Sequence, residues 1–391
     1  MERVNTVIVD TVRTGSGKGK PGGSLSHLHP AALLGDVIAA LVEITGVDPD
    51  RIDDVYAGCV SQFGMQTQNI ARTAALAAGL PVSVPGTTID RQCGSSQQAL
   101  QFAHAAIAAG HADAIIVCGV EMMSTHPIGA AAGDRDPIAQ SVHERFGGLV
   151  HQGIGAELIA ARYGISREHS DEFAARSHRL AHEYAKFHND DILAVSTPTG
   201  LHDRDETVRA STIVEKLAGL SPVFVDNAVQ QRFPEISWQI TAGNSSPLTD
   251  GASALLVTSE RFAAEFDLEP RARVVSSVAV GSDPIEMLTG VIPATEKLLA
   301  RTGMTLDQID AYEVNEAFAP VPLAWLDAVG ADPDRLNIAG GAIALGHPLG
   351  ATGAKLAGTL VHALEHTEGR YGLQTMCEGG GMANATLIER I

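Results

Sequence analysis

Cys93 lies in the stretch TTIDRQCGSSQQALQFAHAAIAAG, residues 87–110. A short β-type run ends in a polar turn, and from Gln97 an Ala- and Leu-rich pattern reads as a helix unbroken by Pro or Gly until Gly110. A thiol at a strand-to-helix turn meets the unsatisfied N–H groups of the helix start. That field is expected to lower its pKa and supply the thiolate nucleophile; the same N–H groups suit a developing oxyanion. Three further polar stretches lie in the C-terminal half: EVNEAF at 313–318, NIAGGAIALGHPLGATG at 337–353 and CEGGG at 377–381. Together they suggest thiol-dependent acyl transfer. Cys93 attacks a thioester, His347 takes its proton because imidazole titrates near neutrality, and Cys377 serves as a second acid/base. Glu316 is a candidate to orient His347 or a water, and Asn315 to hold a water at an oxyanion.

Other chemistries fit less well. No GxGxxG follows the first strand, which argues against a dinucleotide site around Gly340. His143, Glu144 and His151 lack the HExxH spacing of a metal site. A Cys–His hydrolase would have no use for Cys377.

These groups need an α/β scaffold to position them. Residues 4–9 read as a buried strand, 11–24 as a loop, 28–43 as a helix opened by Pro30, 54–58 as a strand and 69–78 as a helix. After the Cys93 unit, AIIVCG at 114–119 is a buried strand. From 121 to 243 the texture changes to charged helices, 168–188 among them, between Gly- and Pro-rich loops, and 221–239 carries exposed-looking aromatics. That region reads as a lid. Strands return at 254–259 and 272–280, then a helix at 293–302, a strand at 309–314, a Gly-rich turn and helix at 340–364, and closing strands at 372–377 and 385–389. Residues 45–53 match 302–310 in layout, with Thr45 and Thr302, like Ile52 and Ile309, 257 positions apart. At the same offset the Cys93 turn falls opposite the turn at 350–353. Such register points to two similar α/β halves: residues 1–120 with 244–268, and residues 269–391, around a lid at 121–243.

The formal charge of −19 disfavours nucleic acid and anionic membrane as partners. Cys59, Cys93, Cys118 and Cys377 show no CxxC pair or zinc spacing. With no signal peptide, no membrane span and no peroxisomal address, they are read as free thiols of a cytoplasmic protein.

DRQCGSSQQAL at 90–100, CGVEMMS at 118–124, AGNSSPLTDGASA at 242–254, VNEAFAP at 314–320, NIAGGAIALGHPLGATGA at 337–354 and CEGGG at 377–381 together resemble the thiolase family over essentially the whole chain. The resemblance implies two βαβαβαββ halves, each a five-stranded mixed sheet, in an α-β-α-β-α layering with an inserted lid. It implies an acyl-enzyme on Cys93, activation by His347 and α-carbon or thiol protonation chemistry at Cys377. Asn315 would hold the water that forms one oxyanion hole with His347, and the N–H groups of Cys93 and Gly379 would form the second. Ser246, His151, Arg209 and Phe318 would contact coenzyme A, a substrate rather than a resident cofactor. A homodimer or homotetramer is expected, with no metal.

Three departures stand out. Ser96 replaces the second glycine of a CGSG turn, CEGGGMA replaces the usual final motif, and Gln152 follows His151 where a pocket-narrowing Met is common. The longer segment 227–238, with Phe233, Pro234 and Trp238, suggests a wider acyl channel with an aromatic rim. These features favour a degradative 3-oxoacyl-CoA thiolase acting on fatty-acid or steroid-derived substrates. The alternatives are an acetyl-CoA C-acetyltransferase and a non-catalytic acyl-CoA-binding relative. The direction of reaction follows from neither, since cleavage and condensation share one site.

Overall fold

The computed structural model describes residues 4–185, 191–198 and 200–391. Its first half runs strand Thr6–Thr14, helix Pro30–Thr45, strand Asp54–Gly58, helix Ile70–Ala77, strand Thr87–Ile89, helix Ser95–Ala108 and strand Ala114–Met122, and closes with strand Thr249–Ser259. The second runs strand Ala272–Gly281, helix Val291–Thr302, strand Ala311–Val314, helix Pro320–Val329, helix Leu349–His366 and strands Tyr371–Glu378 and Met382–Arg390. Each half places its first strand beside its last, which is antiparallel to it, and its second strand parallel to the fourth. The first half completes the pattern with Thr87–Ile89 beside Asp54–Gly58. The second half differs from the expected five strands, because its third is reduced to a single Tyr312–Leu336 bridge.

Alternation along the strands builds the layers. In the fully buried Ala114–Met122, Ile116, Cys118 and Val120 face an outer core with Leu34, Ile38, Leu41 and Ala74, while Ile115 and Val117 face the opposite side. There they meet Leu100, Ala103 and Ile107 of one central helix and Ala357, Leu360 and Leu364 of the other. A third core covers the second sheet under Leu298, Val321, Ala324 and Trp325. The order is therefore helix, sheet, helix pair, sheet, helix, as expected. The sheets join edge to edge where Val7 pairs with Arg273 and Ile8 with Ala272.

The internal repeat is physical. Gly46 (φ 65°) and Gly303 (φ 70°) end equivalent helices in the left-handed conformation that glycine adopts without strain. Asp53 Oδ2 accepts from the N–H groups of Asp113 and Ala114, and Asp310 Oδ2 accepts from those of Arg370 and Tyr371.

Two local expectations need correction. The first strand continues through Thr11–Thr14, where polar residues suggested a loop. Arg13 is enclosed there by Asp191 at 3.0 Å and Asp205 at 2.9 Å, carboxylates that come from far along the chain. The predicted helix at 168–188 is seen as Arg167–Glu183, and residues 186–190 lie outside the described residues.

Candidate active site

The Cys93 turn is closed by short-range bonds. Asp90 Oδ1 accepts from the Gln92 N–H at 2.7 Å, Ser95 Oγ donates to Gln92 O and accepts from the Arg91 N–H, and the Gly94 N–H reaches Arg91 O. Beyond it the helix Ser95–Ala108 begins at once, two residues before the sequence pattern suggests. Close backbone approach sets the spot. A Cβ at Gly353 would lie 2.1 Å from Gln97 N, and one at Gly58 would lie 2.4 Å from both Gly350 O and Ser96 N. The two central helix starts thus cross where only glycine fits. Ser96, the departure in this turn, accepts a hydrogen bond from the Ala354 N–H at 2.9 Å and so links the two helices.

Cys93 is 7% exposed. Its own N–H and that of Gly379, the pair expected to form an oxyanion hole, act on the sulfur in favour of the thiolate. The expected lowering of its pKa is overturned. Burial outweighs those two donors, and with the Glu378 charge it pushes the thiol up to about 12. At rest Cys93 is a thiol, so attack by it would need a base. Cys377 is also fully buried and raised, by burial first and then by the proximity of Cys93.

His347 is 4% exposed, and burial lowers its pKa to about 3, with the Lys355 charge adding to the effect. It is a neutral imidazole. Its Nδ1 lies 2.7 Å from Thr352 Oγ1, whose own proton goes to Pro348 O at 2.8 Å. The hydroxyl can therefore only accept, which fixes the proton on Nδ1 and leaves Nε2 unprotonated, able to take a proton. Asn315 Nδ2 stands 3.4 Å from that Nε2, and Asn315 Oδ1 has no hydrogen-bond partner among the described residues. The His347 N–H donates to Thr249 Oγ1. Neither Thr352 nor Thr249 stands out in the sequence, because a threonine in a Gly-rich or strand context carries no signal by itself.

Glu316 does not touch His347. Its carboxylate accepts from Ser177 Oγ at 2.6 Å, Asn337 Nδ2 at 2.8 Å and the Ile343 N–H at 3.1 Å. It fastens the Gly-rich loop that leads to the histidine, and so supports His347 indirectly instead of orienting it by contact as expected.

Of the coenzyme A candidates, Ser246 and Phe318 are adjacent: the Ser246 N–H and Oγ both reach Ala317 O, and Ser245 bridges Phe318. The rings of His151 and Phe224 are 5.1 Å apart, and those of Phe224 and Phe318 are 6.0 Å apart. Phe224 completes this wall, and nothing in the sequence marks it, since its segment has no periodicity to place it. Arg209 is exposed, and its N–H donates to His178 Nδ1. Gln152 opens the helix Gln152–Arg162, capped by His151. The predicted rim is also corrected. Phe233 and Trp238 pack with Ile154, Leu158 and Ile236 into a small core that anchors the lid. Among the described residues no cluster of three or more His, Cys, Asp or Glu side chains could hold a metal ion, and no helix is long and apolar enough to cross a membrane.

Known proteins resemble this chain along essentially its whole length. The family description "Thiolase, N-terminal domain" matches residues 6–261, and "Thiolase, C-terminal domain" matches residues 268–390. The chain is 46% identical to a steroid 3-ketoacyl-CoA thiolase, FadA6, of Mycobacterium tuberculosis, covering 98% of this chain and 94% of the relative. It is 41% identical to a 3-ketoacyl-CoA thiolase of Photobacterium profundum, covering 99% and 100%. An acetyl-CoA acetyltransferase of Bacillus anthracis superposes with a TM-score of 0.88 at 35% identity, over 100% of this chain and 99% of that one.

Proposed function

The chain belongs to the thiolase family, and we propose that it cleaves 3-oxoacyl-CoA with coenzyme A through an acyl-enzyme on Cys93. As a thiolase it is an acyltransferase that breaks or forms the bond between acyl and acetyl units of coenzyme A thioesters through a catalytic cysteine. The observations that support the residue assignment are a neutral His347 whose Nε2 lies 3.4 Å from Asn315 Nδ2 and a buried, neutral Cys93 thiol acted on by its own N–H and that of Gly379.

Both partners being uncharged, the reaction begins with proton transfer from Cys93 Sγ to His347 Nε2 as sulfur attacks the 3-keto carbon. The N–H groups of Cys93 and Gly379 receive the resulting oxyanion. Collapse breaks the bond between C2 and C3 and leaves acetyl-CoA as an enolate, whose oxygen is held by His347 and an Asn315-bound water while Cys377 protonates the carbon. The Cys377 thiolate then takes the proton of the incoming coenzyme A. The coenzyme A thiolate attacks the acyl-enzyme, and His347 returns its proton to the departing Cys93. Every proton is restored. The wall of His151, Phe224, Phe318 and Ser246, with Arg209, is assigned to the cofactor arm.

A groove of about 420 Å³ lined by Leu149, Val150, Ile154, Phe224 and Val229 runs beside that wall. The similarity to a steroid 3-ketoacyl-CoA thiolase supports substrates larger than acetoacetyl-CoA, of the fatty-acid or steroid-derived kind. The protein is read as a cytoplasmic homo-oligomer, with the open edge of Thr87–Ile89 available to a second copy.

The test is thiolysis of a chain-length series, with a steroid-derived member, followed through loss of the Mg²⁺–enolate signal. Trapped acyl-enzyme should map to the Cys93 peptide. A preference peaking at acetoacetyl-CoA would return the protein to the acetyl-CoA acetyltransferase reading. Label on any other cysteine would refute the assignment.

A further inference from the structure

Glu378 follows Cys377 at the end of its strand and is completely buried. Strand alternation turns it to the opposite side from Cys377, against the start of the helix that carries the nucleophile. A Cβ on Gly94 would fall 1.9 Å from Glu378 Oε1 and 2.7 Å from its Cδ, so the carboxyl group occupies the space left by that glycine. Neither carboxyl oxygen has a hydrogen-bond partner among the described residues.

The internal repeat makes this odd. Glu121, 257 positions earlier, is the equivalent residue. It accepts from the N–H groups of Val60, Ser61 and Gly350 and from Gln66 Nε2, and so clamps the start of the other central helix. All of the hydrogen bonding of Glu121 goes to structure. Its counterpart beside Cys93 has no such task.

We propose that Glu378 acts through Cys93 as a positioning residue: seated beneath the nucleophile turn, its carboxyl group sets the charge against which the Cys93 thiol loses its proton. The proposal rests on Cys93 being the nucleophile. An unpaired carboxylate in this place is costly, and burial pushes the group up to about 8, with Arg91 opposing and Asp90 adding to the rise. Below that pH Glu378 is a neutral acid and leaves Cys93 unhindered. Above it the new negative charge holds Cys93 as a thiol. The charged or titratable groups that interact with it are Asp90, Arg91 and Cys93 on the turn and, through its charge, Cys377 on the other side of its own strand, with Glu121 also acting on Cys93.

The experiment reads Cys93 directly and does not depend on thiolase activity. Iodoacetamide alkylation of the Cys93 peptide is followed by mass spectrometry from mildly acid to alkaline pH on the full chain. In the wild type the rate should climb tenfold per pH unit, flatten over about one unit near pH 8, and then climb again. Glu378→Gln keeps the shape and cannot ionise. It should lose the flattening and alkylate about tenfold faster than wild type well above pH 8, while matching it in mild acid. The alkaline fall of kcat should move to higher pH in the same variant. Should Glu378→Gln not fold, Arg91→Gln, which removes the cation favouring ionisation, should move the wild-type flattening to higher pH. A wild-type profile with no flattening, or one that Glu378→Gln or Arg91→Gln leaves unmoved, would overturn the proposal. A normal profile with no thiolysis on any substrate would instead count against the proposed function.

Discussion

Replacing Thr352 by Val tests whether His347 is held as a base. The two side chains have nearly the same shape, so packing under the imidazole is kept while the acceptor at 2.7 Å from Nδ1 is lost, together with the hydroxyl's bond to Pro348 O. The ring is 4% exposed and its Nδ1–H would be left buried without a partner, at a cost of about 1–3 kcal/mol. The imidazole escapes that cost by moving its proton to Nε2, where it can no longer accept from Cys93. At about 1.4 kcal/mol per factor of ten, the base-competent tautomer falls on the order of 10- to 100-fold. Single-turnover acylation of Cys93, followed by rapid quench and mass spectrometry, should slow by that factor with KM little changed. Thr352→Ser, which keeps the hydroxyl, should restore most of the rate. A folded Val variant acylating within about twofold of wild type would refute the tautomer argument, as would a Ser variant no better than Val.

Cys377→Ala should still form acyl-enzyme from a simple acyl-CoA while steady-state turnover falls by more than about 100-fold, in keeping with the 10²–10⁴-fold worth of a general acid/base; equal loss of both steps would reduce Cys377 to packing. Ser96→Ala removes the hydrogen bond from the Ala354 N–H and should lower stability in denaturant titration by about 1 kcal/mol without changing acyl preference. His178 is held neutral by burial, its pKa lowered from 6.5 to about 4. The unfolded chain therefore binds the extra proton first, and this stabilisation, on the order of 3 kcal/mol, is present above pH 6.5 and lost as pH falls toward 4. A His178→Gln variant should show a flatter decline of Tm over that window, and an unchanged slope would count against it.

What can be read from sequence is whatever chemistry is local. Cys93, His347, Asn315 and Cys377 each sit in a short polar segment, with glycines close by in all but that of Asn315, and the paired helix ends at Gly46 and Gly303 announce the duplication before any fold is known. Groups whose meaning depends on a distant partner are not legible. The strand through Arg13 looks like a loop because Asp191 and Asp205, which bury it, arrive from the lid. Phe224 has no periodicity to mark it. The Cys93 pKa takes the wrong sign from sequence for a related reason: the helix start is visible there, whereas the depth of burial that outweighs it is not.

The duplication also explains why the chemistry is lopsided. At the offset of 257 residues, Asn315 corresponds to Gly58, His347 to Asp90 and Cys377 to Val120. Position 58 cannot carry a functional side chain, because a Cβ there would strike Gly350 O and Ser96 N at 2.4 Å where the two helices cross. Gly119, beside Val120, is under the same constraint, since its Cβ would lie 2.2 Å from Gly350 O. The first half therefore gives its strand ends to the crossing and keeps only the helix start for chemistry, which is where Cys93 stands. In the second half Asn315 and Cys377 keep their side chains at the equivalent strand ends, one beside the His347 imidazole and the other within reach of the Cys93 field. On the proposed reading, two copies of one fold thus supply a nucleophile from one side and its base, water-holding amide and second thiol from the other. The asymmetry follows from where the backbones must touch.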